Sequence, residues 1–188
     1  WDQQVFLTGI SSLAIDETQS TSAPASLLFQ TMARPAGEGA VASVRKTIAG
    51  TPLRAKLVVS VRPSATTWTQ GAYSVVDLDV DGSHIFTLYF LDDDDMGGHK
   101  PSLKEISGST TTYHPLTKVP PANAWTRITL DVDVGGGHAT VLYGSETALD
   151  ATITTGTMTD PTFRVGSPYV FGPSDAWNVD VDDVVFDF

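Results

Sequence analysis

The chain ends in Trp177-Asn-Val-Asp-Val-Asp-Asp-Val-Val-Phe-Asp-Phe188, and this stretch decides the fold. Side chains of a β-strand alternate between the two faces of a sheet, so apolar residues of one parity share a face. Here two apolar sets have opposite parity, and the change falls at Asp182-Asp183. One extra residue there would form a β-bulge and return both sets to the core. The first set is Trp177, Val179 and Val181, and the second is Val184, Phe186 and Phe188.

Other segments show the same period of two. Residues 53–61 place Leu, Ala and Val on one face and mostly Arg, Lys and Ser on the other, which is typical of a half-buried antiparallel strand. Asp81-Gly82 separates an alternating run at 76–80 from an apolar run at 85–91, and this pattern predicts a β-hairpin. A second hairpin is predicted from 128–134 and 139–143, and weaker strands at 5–7, 26–32, 41–48, 103–106, 151–154, 163–166 and 169–171.

The strand pattern predicts the fold class. Proline and glycine fall between the apolar runs, and no segment of helical period competes with them. Ten or more short strands at this spacing are typical of an all-β, two-sheet antiparallel jelly-roll sandwich. No linker composition interrupts the chain, so residues 1–188 are expected to form a single domain.

Composition narrows the classes of partner. The chain has 188 residues, 18 Asp, 4 Glu and a net charge of −11, which argues against nucleic acid and anionic membrane surfaces. No segment reaches the ~18 apolar residues of a membrane-spanning helix, so no membrane insertion is expected. The absence of cysteine excludes disulfides and thiolate metal sites.

The order of elements resembles a known family. Pro24-Ala-Ser-Leu-Leu-Phe29 opens a strand, Ala124-Trp-Thr-Arg-Ile-Thr-Leu130 precedes a glycine-rich hairpin, and Phe163-Arg-Val-Gly166 leads to the final Asp-Asp strand. This arrangement resembles the concanavalin A-like, laminin-G-like jelly-roll sandwiches of bacterial surface and secreted proteins. The resemblance implies a secreted or cell-surface protein in its mature form, with the signal peptide outside this chain.

Catalytic motifs of that family are missing. Its glucanases carry Glu-x-Asp-x-x-Glu, because glycoside hydrolysis needs two carboxyl groups facing each other across the sugar. The four glutamates here, Glu17, Glu38, Glu105 and Glu146, are isolated, and the aspartate pairs Asp77/Asp79 and Asp131/Asp133 are expected to face solvent. Four scattered histidines also lack zinc-site spacing and are expected on the surface. The sequence therefore predicts a protein that is not an enzyme.

Two acidic segments are candidate metal sites. The resemblance implies a structural calcium ion at Asp182 and Asp183, with an early-strand acid such as Asp2 or Asp16 as partner. The alternative is that one of these carboxylates binds backbone amides freed by the bulge. Asp92, Asp93 and Asp95 belong to a run of four carboxylates that a calcium ion would relieve, although a solvated acidic loop is the favoured interpretation. Residues 77–82 match the first half of a calcium-binding loop, but the glutamate that would complete the loop is missing.

Aromatic residues are candidates for sugar binding, because sugar rings stack on flat aromatic faces. Trp68 lies in the polar stretch Ala65-Thr-Thr-Trp-Thr-Gln70, where capping of the core and ligand stacking are both open. Tyr73 and Tyr113 complete the candidate platform. The sequence thus predicts a non-catalytic extracellular module that binds a glycan or another surface protein in adhesion. The alternative is a structural, self-associating cell-surface component without a small ligand.

Overall fold

In the computed structural model, the described residues form two antiparallel β-sheets of seven strands each, which pack face to face. The structure describes residues 3–6, 11–22, 24–33, 39–65, 71–93, 99–171 and 175–188. No helix in these ranges is long and apolar enough to cross a membrane. The strands are β1 (Gln3–Phe6), β2 (Ser11–Asp16), β3 (Ser26–Thr31), β4 (Gly39–Thr47), β5 (Arg54–Pro63), β6 (Ala72–Asp79), β7 (His84–Asp93), β8 (His99–Ser107), β9 (Thr110–Pro115), β10 (Thr126–Asp133), β11 (His138–Tyr143), β12 (Glu146–Thr152), β13 (Thr162–Phe171) and β14 (Trp177–Asp187).

The sheet order confirms the predicted sandwich. The first sheet has the order β1-β4-β13-β6-β7-β8-β9, and the second has the order β12-β11-β10-β5-β14-β3-β2. Strands distant in sequence are therefore neighbours, which is the non-sequential connectivity of a jelly roll. Both predicted hairpins, β6–β7 and β10–β11, are present.

One hydrophobic core fills the space between the sheets. Alternate residues of each strand point into it because the side-chain period of a strand is two. The first sheet contributes Val76, Leu78, Phe86, Leu88, Leu103, Phe163 and Val165, and the second contributes Leu57, Val59, Ile128, Leu130, Val141 and Val179, all fully buried. Leu53 precedes β5 rather than joining its core face, and it is 55% exposed.

The terminal strand has the predicted bulge. Its register against β5 shifts between Asp182 and Val185, and Asp183 has a φ of 51°. Trp177, Val179 and Val181 are buried as expected. After the bulge, Val184 and Phe186 pack against the core but are only half-buried. The expectation for Phe188 is wrong: it follows the end of β14 and is 62% exposed.

Candidate functional site

A row of polar side chains crosses the outer face of the first sheet. The register pairs Arg45 with Arg164, Arg164 with Asp77, Asp77 with Thr87, Thr87 with Lys104, and Lys104 with Tyr113. Their chain neighbours Val44, Val165, Val76, Leu88 and Leu103 are buried in the core, so this set points the other way. We call these residues the outer row: Arg45, Arg164, Asp77, Thr87, Lys104 and Tyr113.

Asp77 is the carboxylate at the centre of the outer row. It accepts hydrogen bonds from Arg164 Nη1 and from Thr87 Oγ1, the latter at 3.0 Å, while Asp79 lies 3.8 Å from Arg164 Nη2. Burial raises the pKa of Asp77, and the Arg164 guanidinium and the Thr87 hydroxyl oppose that rise. The expectation that Asp77 is a solvated acid is therefore wrong, because a neighbouring strand supplies a guanidinium at the same register. Asp131 is likewise paired, with Arg54 of β5 at 2.5 Å.

Lys104 lies between two tyrosine rings. Its Nζ is 5.1 Å from the ring centroid of Tyr113 and 5.8 Å from that of Tyr89, distances at which a cation is attracted to an aromatic face. Tyr89 lies on β7 opposite Ser102 and is buried, whereas Tyr113 is half-buried. The two phenols and the ammonium group thus form one cluster at the β9 end of the outer row.

Unsatisfied polar atoms lie on the same face. In the described part of the chain, Arg45 Nε and the hydroxyl groups of Ser43 and Ser102 are buried without a hydrogen-bond partner. Such orphaned groups are rare in folded proteins and require an explanation. These three groups belong to β4 and β8, the strands that carry Arg45 and Lys104.

A second polar cluster lies on the core side of the same strands. Glu105 Oε1 is 3.0 Å from His84 Nε2 and accepts the backbone N–H of Thr154 at 2.8 Å, and Glu105 Oε2 is 3.0 Å from His114 Nε2. Burial alone would raise the pKa of Glu105, but the hydrogen bonds from His114, Thr154 and His84 hold this pKa below its ordinary value. His84 is buried and His114 half-buried, so the expectation of surface histidines is wrong for both.

The structure separates Tyr73 from Tyr113, two residues of the predicted sugar-binding platform. Tyr73 is fully buried, its ring packs edge-on against Trp177 at 5.6 Å, and its hydroxyl group bonds the backbone of Asp175. Its assignment to a surface platform is wrong, because the irregular register of β6 turns this ring into the core. Tyr113 does lie on an outer face, in the outer row. Trp68 lies outside the described residues.

The acidic bulge anchors a loop. Asp182 Oδ2 accepts the backbone N–H groups of Thr21 and Ser22, both at 2.9 Å, and Asp182 Oδ1 accepts that of Asp183 at 2.8 Å. Burial alone would raise the pKa of Asp182, but these amides lower it. Asp182 therefore binds backbone amides, as the alternative interpretation predicts. Two of the three amides belong to the loop before β3 and not to the bulge.

The described residues do not complete a calcium site. They include no group of three or more His, Cys, Asp or Glu side chains that could hold a metal ion. Two adjacent carboxylates are fewer ligands than the six to eight oxygens that calcium takes. Asp92 and Asp93 lie at the end of β7, with side chains outside the described set, and Asp95 lies outside the described residues altogether. Calcium at either segment stays a prediction.

Comparisons with known proteins identify the fold. No protein-family model and no curated protein matches the chain. The endo-β-1,4-glucuronan lyase of the fungus Trichoderma reesei superposes with a TM-score of 0.74 at 11% identity, covering 99% of this chain and 90% of that chain. The cellulose-induced protein Cip1 gives 0.70 at 10% identity, with 100% and 93% covered. The alginate lyase AlyC3 in complex with dimannuronate gives 0.51 at 10% identity, with 86% and 74% covered.

These similarities show the concanavalin A-like jelly-roll fold and correct one prediction. The sequence predicted no enzyme, and that prediction is contradicted by two lyases among the proteins of the same fold. The reasoning failed because paired carboxylates are a requirement of glycoside hydrolysis. A lyase breaks its bond by elimination, so the missing glutamate pair does not argue against it.

Sequence reasoning missed most of the outer row. Arg45, Arg164 and Lys104 were not recognised, and Asp77 was assigned to solvent. A signal was available, since each of these residues follows or precedes a core residue in an alternating segment. Alternation gives the face of each residue but not the order of the strands, and the order alone brings these residues together.

Proposed function

We propose that this protein is a polysaccharide lyase that binds an anionic, uronate-containing glycan along the outer row and cleaves it by β-elimination. The proposal is supported by two proteins of the same fold, one a glucuronan lyase and the other an alginate lyase. It is supported independently by the chemistry of the outer row. A polymeric substrate also agrees with the secreted or cell-surface location that the family resemblance implies.

The observation that carries the proposal is a row of three basic side chains that crosses one face of an acidic protein. The chain has a net charge of −11, yet the outer row contains three of its 11 basic residues, Arg45, Arg164 and Lys104, against the carboxylate of Asp77 in the row and that of Asp79 beside it. The row from β4 to β9 crosses five strand spacings, or ~24 Å. Such a length suits an extended polymer that carries one carboxylate per sugar, because guanidinium and ammonium groups bind carboxylates with charge-assisted hydrogen bonds.

β-Elimination on a uronate needs two functions that the Lys104 cluster can supply. A cation neutralises the carboxylate and so acidifies the C5–H bond, and a base removes the C5 proton. The electron pair forms the C4–C5 double bond, the C4–O4 bond breaks, and O4 takes up a proton, with no water consumed. Lys104 would neutralise the carboxylate, and the Tyr113 hydroxyl group would accept the C5 proton as it donates its own proton to O4. Arg45 and Arg164 would bind carboxylates of neighbouring sugars.

An assay with defined polymers tests the proposal. Purified protein is incubated with glucuronan, alginate and a neutral glucan, and the ultraviolet absorbance of the unsaturated product is followed. We expect absorbance to rise with at least one polyuronate and to stay constant with the neutral glucan. No rise with any polyuronate, at enzyme concentrations that bind the polymer, would contradict the proposal.

Matched variants connect the activity to the outer row. Tyr113→Phe is expected to lower kcat by ~10²–10⁴, the usual contribution of a general acid–base group. Its control is Tyr143→Phe, which removes a buried phenol of the second sheet. Lys104→Ala is compared with Lys56→Ala, because Lys56 is a lysine of the second sheet, opposite Asp131 and Asp187 in strand register. If a variant and its control lost activity equally, the role assigned to Tyr113 or Lys104 would be wrong.

A further inference from the structure

A buried carboxylate lies directly behind the proposed catalytic cluster. Glu105 follows Lys104 in β8, and His114 follows Tyr113 in β9, so each pair points to opposite faces of the first sheet. Glu105 is 2% exposed and pairs across the strands with the core residue Phe86. Lys104 and Tyr113, which would act on substrate, therefore share two strands with Glu105 and His114, and among the described strands β9 is an edge strand next to β8.

Glu105 connects this edge hairpin to the rest of the sandwich. It contacts His84 of β7, His114 of β9 and the amide of Thr154, so its two oxygens receive contacts from three separate segments. The segment around Thr154 is itself fixed to the β10–β11 hairpin, since Ile153 N donates to Gly137 O at 3.0 Å and Gly156 N donates to Val134 O at 2.9 Å. Through Glu105, the β8–β9 hairpin of the first sheet is tied to the second sheet.

We propose that Glu105 is a positioning residue, which with His84 and His114 locks the β8–β9 hairpin and so sets the placement of Lys104 and Tyr113. The catalytic consequence rests on the lyase activity proposed above, whereas the structural consequence does not. An ionised carboxylate has acceptor sites for all three contacts, and both imidazoles can donate to it through Nε2. A glutamine at this position has one acceptor oxygen and two N–H donors, so it cannot accept all three hydrogen bonds in the same geometry.

Glu105→Gln is the variant that tests this role, because it keeps the volume and removes the charge. Its control is Glu146→Gln, which neutralises an exposed glutamate paired with Lys118 at the surface. The first readout is the proton chemical shift of the Lys104 ε-methylene group, which the ring currents of Tyr113 and Tyr89 displace at the observed distances. The second readout is kcat and KM on the polyuronate that the wild type cleaves.

The two readouts distinguish the positioning role of Glu105 from the proposed lyase activity. In Glu105→Gln we expect the Lys104 signal to move toward its random-coil position and kcat to fall by ~10- to 100-fold with a smaller change in KM, the effect of a misplaced catalytic group. The control should leave both unchanged. An unaltered Lys104 signal, or a displaced signal with unaltered kcat, would overturn the positioning role. If the wild type cleaves no polyuronate, the proposed function fails, and the Lys104 signal alone decides whether Glu105 positions the hairpin.

Discussion

Arg164 of β13 and Asp77 of β6 form an ion pair on the outer face of the first sheet, 87 residues apart in sequence and directly opposite in register. This pair holds one guanidinium at the centre of the outer row, next to Arg45 on one side and within the reach of a polymer that also contacts Lys104. An acidic protein thus presents basic groups at the one face where we place an anionic glycan.

Gly166 is expected to be irreplaceable. Its φ is 120°, and a Cβ atom there would lie 2.6 Å from two ring carbons of Phe29 and 2.8 Å from Ala42 O. Gly166→Ala should therefore lower the free energy of unfolding by more than ~2 kcal/mol, combining overpacking with backbone strain. Gly144→Ala is the control, because its φ is 63° and its Cβ would meet nothing within 4 Å. Chemical denaturation showing equal losses would contradict the packing at Gly166.

Two buried tyrosines should respond differently to loss of the hydroxyl group. The Tyr73 hydroxyl donates to Asp175 O at 3.1 Å and accepts from Asp175 N at 2.6 Å, so Tyr73→Phe should cost about 1 kcal/mol. The Tyr143 hydroxyl is buried without a partner among the described residues, and burial raises its pKa. Tyr143→Phe should leave the melting temperature unchanged or raise it. Equal destabilisation by both substitutions, measured by calorimetry, would show that the Tyr73 hydrogen bonds do not stabilise the fold.

Asp182 should make stability depend on pH. The pKa of Asp182 is lowered in the folded protein, so the ionised carboxylate stabilises the fold above the unfolded value of ~3.9. This contribution is lost as the pH falls through the folded-state pKa. Asp182→Asn should lower the melting temperature at neutral pH. It should also make the loss of stability on acidification less steep than in the wild type. A pH profile parallel to that of the wild type would contradict the anchoring role.

Calcium binding is a separate prediction, taken from the family resemblance. A ligand that binds only the folded protein, at ~100 times its Kd, stabilises it by ~2.7 kcal/mol, which is several degrees in melting temperature for this size. We expect millimolar calcium to give that rise, and Asp183→Ala to reduce it more than Asp93→Ala. Magnesium is the control. Equal, slight shifts with both ions would indicate charge screening and end the hypothesis.

The sequence predicted the fold because alternation is a local property. Residues 177–188 predict the buried set before the bulge and the place of the bulge, and the structure confirms both, whereas the set after the bulge is only half-buried and Phe188 is exposed. Tyr73 shows the limit of the same argument: the register of β6 shifts between Tyr73 and Val76, so strict alternation counted back from Val76 places the ring on the wrong face. A bulge that leaves two adjacent valines buried, Val75 and Val76, is not visible until the neighbouring strand is known.

The candidate site could not be predicted from the sequence for a different reason. Arg45, Asp77, Lys104 and Arg164 come from four strands, and only the order β4-β13-β6-β7-β8 places them in one row. Non-local pairing of this kind depends on the whole topology, whereas a motif depends on spacing along the chain. Tyr113 was recognised because an aromatic residue is conspicuous by itself, but its partner Lys104 was not.

The origin of the oxygen in the product tests the central claim most directly. Cleavage of a polyuronate is carried out in water enriched in oxygen-18, and the oligosaccharides are analysed by mass spectrometry. The account predicts unsaturated products whose new ends carry no oxygen-18 from the cleavage step, with activity lost in Tyr113→Phe and kept in Tyr143→Phe. Saturated products that carry one labelled oxygen per cleaved bond would show hydrolysis and contradict it.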